Sequence, residues 1–306
     1  MRAYLFAMIL LGIGLFVRPA AAQTDVSPLP PATWDGSRPF TLLLMGVDRR
    51  PDDGDLTYLN DVRADTMLII RFDPIARRVG VLSIARDLFF ARADNGELVR
   101  VNTLLVLGEA MQPGDGPRFA METLQANLGL YIDAYAAFDF DAFITIVDAL
   151  GGVDVDVPYN IYDNQFPDMN YHFDPLYLKA GANHLNGYDA LRYARTRHQD
   201  SDYQRGERQM QVLAAIRQRL SQPDITGSLL GQAPSLVASL QGHLYTNIPL
   251  DLAVTIGGQM LLLDADGLVT GALDDTNTYT YNGMRIPDRN QLAEVLTAVF
   301  GVNYNS

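Results

Sequence analysis

Three apolar runs open the body of the chain, and each meets charged residues at one end. Residues 40–47 (FTLLLMGV) are followed at once by Asp48. Residues 66–72 (TMLIIRF) are preceded by Arg63 and Asp65, and residues 79–84 (VGVLSI) are followed by Arg86 and Asp87. Short continuous apolar runs bounded by turn residues predict buried strands. The link between the second and third, DPIARR at 73–78, is short enough for a hairpin. If the strands alternate in direction, the end of the first, the start of the second and the end of the third share one sheet edge. Asp48, Arg63, Asp65 and Arg86 then converge there from distant positions.

Further along, Phe119, Leu124 and Leu128 mark an amphipathic helix over 118–128, followed by a strand at 134–138. A second helix is predicted over about 141–150 and a strand over 153–157, after Gly151-Gly152. Strands interleave with helices, but the early hairpin breaks a purely parallel order. The predicted class is α/β, a mixed central β-sheet flanked by helices on both faces in three layers. Phe138, Phe140, Phe143, Ile144 and Val147 form a stripe that suits core packing and suits an apolar pocket as well. Over 206–220, Met210, Leu213, Ile216 and Leu220 predict one apolar helix face, with Asp202 as N-cap. Asp202, Arg205 and Gln209 then share one side of the first turns, where free N–H groups favour anions.

Charge sharpens this picture. The 306-residue chain has 23 Lys+Arg against 36 Asp+Glu, a formal net charge of -13, and its only lysine is Lys179. Within it, residues 190–209 (ALRYARTRHQDSDYQRGERQ) concentrate Arg192, Arg195, Arg197, Arg205 and Arg208. Guanidinium forks match phosphate oxygens two at a time, so the cluster reads as a site for a phosphate-bearing ligand. A surface helix with salt-bridged arginines accounts for it too. Asp48 and Asp65 beside arginines suit a phosphate-bound Mg²⁺, which takes one or two carboxylates and fills its shell with substrate oxygens and water. They suit equally well strand-end turn residues paired to Arg63 and Arg86. The acidic balance argues against nucleic acid as partner. Serine-hydrolase elbow, zinc-protease, P-loop and dinucleotide motifs are missing, and His172, His184, His198 and His243 lack metal-ligand spacing.

Residues 1–22 have the layout of a secretory signal: Arg2, an apolar run over 3–17, and Ala20-Ala21-Ala22 before Gln23. The run is shorter than the roughly 20 residues that comfortably span a bilayer, although a short membrane anchor is the alternative. The protein is therefore expected outside the cytoplasm, in the cell envelope, secreted or anchored. With no cysteine, disulfides and a lipid-modified cysteine are excluded. Residues 23–37, rich in proline and small polar residues, read as a tether, and 38–306 as one domain.

The ordered set of motifs resembles the LytR-CpsA-Psr family of cell-wall glycopolymer ligases. It comprises LLLMGVD at 42–48, RADT at 63–66, SIARD at 83–87, RVN at 100–102, FITIVDALGGVDVDVP at 143–158, LNGYDALRYARTRH at 185–198 and DSDYQRGERQ at 200–209. The resemblance implies transfer of a glycan phosphate from a polyprenyl-pyrophosphate carrier to a peptidoglycan hydroxyl at the membrane surface. It implies that Asp48 and Asp65 hold Mg²⁺, for which Mn²⁺ can substitute. Arg86, Arg195, Arg197 and Arg205 would bind pyrophosphate, Asp202 and Gln209 would support them, and Arg63, Arg100 and Arg208 would add substrate contacts. Arg100 stands where the family usually has lysine, and Ala85 where it has proline. The loop between Asp48 and Asp65 is longer and more acidic than usual, and Tyr203-Gln204 replaces Phe-Gly. Two other readings remain: a secreted polyprenyl-pyrophosphate pyrophosphatase, and a non-catalytic envelope module binding lipid or glycan.

Overall fold

The computed structural model describes residues 29–48, 62–168, 172–196, 202–220, 222, 225, 235–236, 238–249, 251–253, 255–256 and 267–301. The signal expected at 1–22, most of the loop between Asp48 and Asp65, and Arg197 lie outside the described residues, as do the side chains of Asp202 and Arg205.

The three opening runs form β1 (Phe40–Val47), β2 (Ala64–Asp73) and β3 (Arg78–Ile84), paired antiparallel in sequence order. On the far side of β1 lies β6 (Ala134–Phe138), parallel to it. The short β4 (Phe89–Ala91) and β5 (Leu98–Arg100), which precede β6 in the chain, make a separate hairpin. The central sheet is completed by β11 (Leu244–Thr246), antiparallel to β6, and β12 (Leu268–Leu273), parallel to β3. Its order is β11-β6-β1-β2-β3-β12, a mixed six-stranded sheet.

Both faces are covered. On one, Leu43, Met45, Met67, Ile69 and Leu82 pack against α1 (Leu104–Met111), α2 (Gly116–Leu128) and α6 (Arg289–Phe300). On the other, Leu42, Leu44, Leu68, Ile70 and Val81 meet Ile248, Leu252 and Ile256, with Leu213 packed alongside. Alternate residues of β1 thus serve opposite cores, and each fully buried aliphatic side chain contributes about 1.5–3 kcal/mol relative to exposure. This is the expected three-layer arrangement, and β1 and β6 have the bounds predicted for them.

A second apolar cluster stands beside the sheet. Here α3 (Phe140–Ala149) and α4 (Gly187–Arg195) pack with α5 (Asp202–Leu220) on β7 (Val153–Val157), β8 (Ile161–Asp163), β9 (Leu176–Leu178) and β10 (Gly181–Leu185). At the start of α4, a Cβ on Gly187 would lie 2.7 Å from Ile144 Cα, so the absence of a side chain lets α4 press onto α3.

Two expectations need correction. The second half of the proposed tether is docked: Ala32 N donates to Asn247 O at 2.8 Å, and the Trp34 ring lies 5.7 Å from Phe40 and 5.5 Å from Phe72. One large aromatic outweighs the surrounding prolines by giving this segment apolar surface to bury. The helix α5 also begins at Asp202 rather than after it. Among the described residues, no helix is long and apolar enough to cross a membrane.

Candidate functional site

The charged edge forms as the topology requires. Asp48 follows β1, Asp65 opens β2 and Arg86 follows β3, and all three line one cavity of about 430 Å³. A β-bulge refines the geometry. Gly46 pairs with Thr66, but Val47 pairs with Ala64, which leaves Asp65 as an extra residue on β2. Simple alternation would send Asp65 and Thr66 to opposite faces; the bulge lets both reach the cavity.

From this edge the cavity runs along the sheet. Leu44 and Gly46 on β1 and Asp48 just beyond it follow one another along the cavity, and at about 3.3 Å per residue they cover roughly 13 Å. Leu68, Phe138, Leu213 and Leu244 line the deeper part, while Phe143, Ile146, Val212 and Ile216 line its helical side. Charge from Asp48, Asp65, Arg86 and Arg195 thus meets a lining that is otherwise mainly apolar. The stripe from the end of β6 into α3 divides accordingly: Phe138, Phe140 and Phe143 line the cavity, whereas Val147 is fully buried in the second cluster. Gly46 keeps the passage wide, since a Cβ there would stand 3.1 Å from Thr66 Cβ and 3.5 Å from Phe138 Cζ.

At the charged end, Arg86 Nη1 donates to Asp65 Oδ2 at 2.8 Å. Arg86 Nε is buried with no hydrogen-bond partner among the described residues. Arg195, the last residue of α4, places Nη2 4.0 Å from Asp48 Oδ1. Its guanidinium carbon lies 4.0 Å from the centre of the Phe140 ring and 5.7 Å from that of Phe166. Gln209 also lines the cavity.

The other predicted residues are placed differently. Arg63 is exposed and meets Asp48 only through its backbone carbonyl, which accepts from Asp48 N at 3.1 Å. Arg100 is exposed on β5 with its guanidinium 5.7 Å from the Phe89 ring, and neither residue lines the cavity. Arg208, expected to contact substrate, is instead buried at 2% exposure. Its Nε donates to Tyr193 O at 3.1 Å and its Nη2 to Thr196 O, so it clamps the end of α4 from behind. The register of α5 explains this. Val212, Ala215 and Ile216 are buried on α5 with Leu213 partly buried beside them, the side chains of Met210 and Leu220 lie outside the described residues, and Arg208 lies one turn before Val212. Asp202 and Arg205 lie in the first turns of α5.

Sequence reasoning missed Asp163, which is 1% exposed, lines the cavity and accepts from Thr196 Oγ1 at 2.6 Å. It also missed the junction of Asp139 with His243. Asp139 Oδ1 caps α3 by accepting from Ala142 N at 2.9 Å, and Oδ2 lies 2.8 Å from His243 Nδ1. With Asp141 nearby, these side chains offer three ligand atoms within 4.8 Å of one another. Both Asp139 oxygens already serve the helix cap and the imidazole, so the group reads as a structural junction.

The donor set at the charged end fits a hard divalent cation. Asp48 and Asp65 supply carboxylate oxygens from adjacent strand ends, and both side chains are more than a third exposed (40% and 36%).

The model of the LytR_cpsA_psr family matches residues 19–300. The chain belongs to that family. Among curated relatives it is 31% identical over 215 residues to the polyisoprenyl-teichoic acid–peptidoglycan teichoic acid transferase TagV of Bacillus subtilis, covering 69% of this chain and 50% of TagV. It is 26% identical over 248 residues to the regulatory protein MsrR of Staphylococcus aureus, covering 79% and 68%. The chain thus spans only half the length of the curated TagV. The crystal structure of B. subtilis TagV superposes with a TM-score of 0.65 at 26% identity, over 86% of this chain and 96% of that one. TagT bound to LIIa-WTA gives 0.64 at 24% identity, over 91% and 100%.

Proposed function

We propose that this protein is an extracytoplasmic phosphotransferase that moves a glycopolymer from a polyprenyl-pyrophosphate carrier to peptidoglycan. The observation that carries this reading is the two-part cavity: an apolar passage along β1 and β2 ends at Asp48, Asp65, Arg86 and Arg195. A prenyl chain fits the passage and its diphosphate fits the charged end. The names of the relatives agree, TagV being a teichoic acid transferase and TagT having been seen with LIIa-WTA. Family membership and the signal-like residues 1–22 support action in the cell envelope.

The reaction is a phosphoryl transfer. The acceptor hydroxyl oxygen bonds to the glycan-proximal phosphorus, the bond from that phosphorus to the bridging oxygen breaks, and polyprenyl monophosphate leaves. The hydroxyl proton passes to solvent. Arg86 and Arg195 bind the diphosphate oxygens and neutralise charge as it builds on the leaving phosphate, the main demand in such transfers. Gln209, which lines the same cavity, supports the arginine geometry. Asp48 and Asp65 would hold Mg²⁺ or Mn²⁺, which supplies further charge neutralisation at the phosphate oxygens.

The test is incubation of the purified protein with a short-chain prenyl-diphosphate glycan and soluble peptidoglycan, followed by mass spectrometry. A phosphodiester-linked adduct, lost in Arg195→Ala, is expected. Release of prenyl phosphate with the glycan left on water identifies the pyrophosphatase instead. Binding of the donor with no turnover identifies the non-catalytic module.

A further inference from the structure

Arg86 and Arg195 stand at the same end of the cavity, and Arg195 has aromatic neighbours there. Arg86 is fixed by a carboxylate, Asp65. Arg195 has the Phe140 ring centre 4.0 Å from its guanidinium carbon and Phe166 at 5.7 Å, while Asp48 Oδ1 stops at 4.0 Å, beyond hydrogen-bond length. We propose that Phe140 is a positioning residue that braces the Arg195 guanidinium against its ring face and holds it off Asp48. The idea rests on the reading of Arg195 as a diphosphate contact.

A movement of about 1 Å would turn the Asp48–Arg195 approach into a charge-assisted hydrogen bond near 2.8 Å. That pair would occupy both a proposed metal ligand and a proposed phosphate ligand. A ring face opposes the collapse without consuming donors, because all five guanidinium N–H groups lie in the guanidinium plane. The brace is itself anchored. Phe140 is the first residue of α3, whose N-terminus is fixed by Asp139 through Ala142 N at 2.9 Å, and Asp139 is held by His243 at 2.8 Å. Phe166 is 3% exposed, and its carbonyl accepts from Asp174 N at 2.8 Å. From the other side, Gly187 lets α4 lie close on α3, and Arg208 holds the α4 end through the Tyr193 and Thr196 carbonyls.

The experiment compares the full chain with Phe140→Leu and Phe140→Trp, using inorganic pyrophosphate with Mg²⁺ as the calorimetric probe. The Arg195 side-chain N–H resonance, assigned through Arg195→Lys, is followed in parallel. Phe140→Leu is expected to weaken pyrophosphate binding about 10-fold and to remove the ring-current shift of that resonance. Phe140→Trp, which restores an aromatic face, is expected to stay within about threefold of the parent. Thermal melts identify any variant that fails to fold, and Phe166→Leu then provides a smaller change in the same direction. Unchanged affinity and an unchanged Arg195 resonance in folded Phe140→Leu would overturn the brace. If the parent binds no pyrophosphate while the Arg195 side-chain N–H exchanges faster with solvent in Phe140→Leu but not in Phe140→Trp, the brace stands and the diphosphate reading falls.

Discussion

Arg86 and Asp65 are joined by an ion pair of 2.8 Å that ties the end of β3 to the bulge of β2. Both side chains are partly exposed, at 19% and 36%, so the pair adds only about 0–1 kcal/mol to stability. Its proposed value lies in catalysis, where a donor aimed at developing charge is worth about 10²–10³ in rate. Arg86→Ala is therefore expected to lower turnover by at least about 10²-fold and to move the melting temperature by only a few degrees. A transfer assay run beside calorimetric melts checks it, and a folded variant with full activity would remove Arg86 from the site.

Arg208 predicts the opposite pattern. It is buried and donates to the carbonyls of Tyr193 and Thr196, and each buried carbonyl left unsatisfied costs about 1–3 kcal/mol. Arg208→Ala is expected to show a large loss of stability in urea, and loss of turnover in step with it. If Arg208→Ala melts like the parent while losing diphosphate affinity, Arg208 is a ligand after all.

The metal site is expected to be assisted by substrate. Arg86 and Arg195 stand beside Asp65 and Asp48 and oppose a bare cation, whereas a diphosphate brings negative charge and oxygen ligands. Mg²⁺ titrated calorimetrically should bind weakly to the protein alone and much more tightly with a prenyl pyrophosphate. Asp48→Asn and Asp65→Asn should each shift the metal requirement upward, and the double variant should lose it. Equal affinity with and without the prenyl pyrophosphate would count against the arrangement.

Gly46 separates the two halves of the cavity chemically. A Cβ there meets Thr66 at 3.1 Å and Phe138 at 3.5 Å, so Gly46→Ala narrows the passage without touching the charged end. Affinity for a prenyl pyrophosphate should fall several-fold while affinity for inorganic pyrophosphate stays unchanged. Equal losses for both ligands would show that the chain does not run past Gly46.

Glu109 supplies a pH test away from the site. It is 3% exposed, and burial raises its pKa, opposed by the N–H groups of Gly114 at 2.6 Å and Gly116 at 3.3 Å. The folded protein then holds this proton to higher pH than the unfolded chain. Between the ordinary glutamate value, about 4.3, and the raised one, stability falls as pH rises. The melting temperature of the parent relative to Glu109→Gln should decline through that window on going from acid to neutral pH. A difference that is flat or rises across it would contradict the burial effect.

Much of the sheet is legible in the apolar runs alone. Each of β1, β2, β3 and β6 is a local pattern, as is β7 outside the sheet, and alternation of direction is enough to bring Asp48, Arg63, Asp65 and Arg86 to one edge. Less local features are hidden. The bulge at Asp65 is a difference of one residue between strands, invisible in either run by itself. Arg208 and Gln209 are neighbours in sequence, yet one helix step turns Arg208 into the protein and leaves Gln209 on the cavity. Apolar spacing marks Leu213 and Ile216 on α5, but it does not reveal that Arg208, one turn before Val212, is buried with them. The pairing of Asp139 with His243 joins residues too distant for any spacing rule.

The edge strand β12 has a consequence for how the molecule can be completed. It runs parallel to β3 from Leu268↔Val79 to Leu273↔Ile84, although the two lie near opposite ends of the described chain. Until β12 arrives, the outer side of β3 presents a row of unpaired amides and carbonyls, a template for pairing with another chain. A polypeptide emerging from a membrane N-terminus first would carry that open seam until almost all of it had been delivered. Chains cut short before 268 should therefore stick to one another rather than linger as soluble fragments, and light scattering of such truncations during refolding would reveal it.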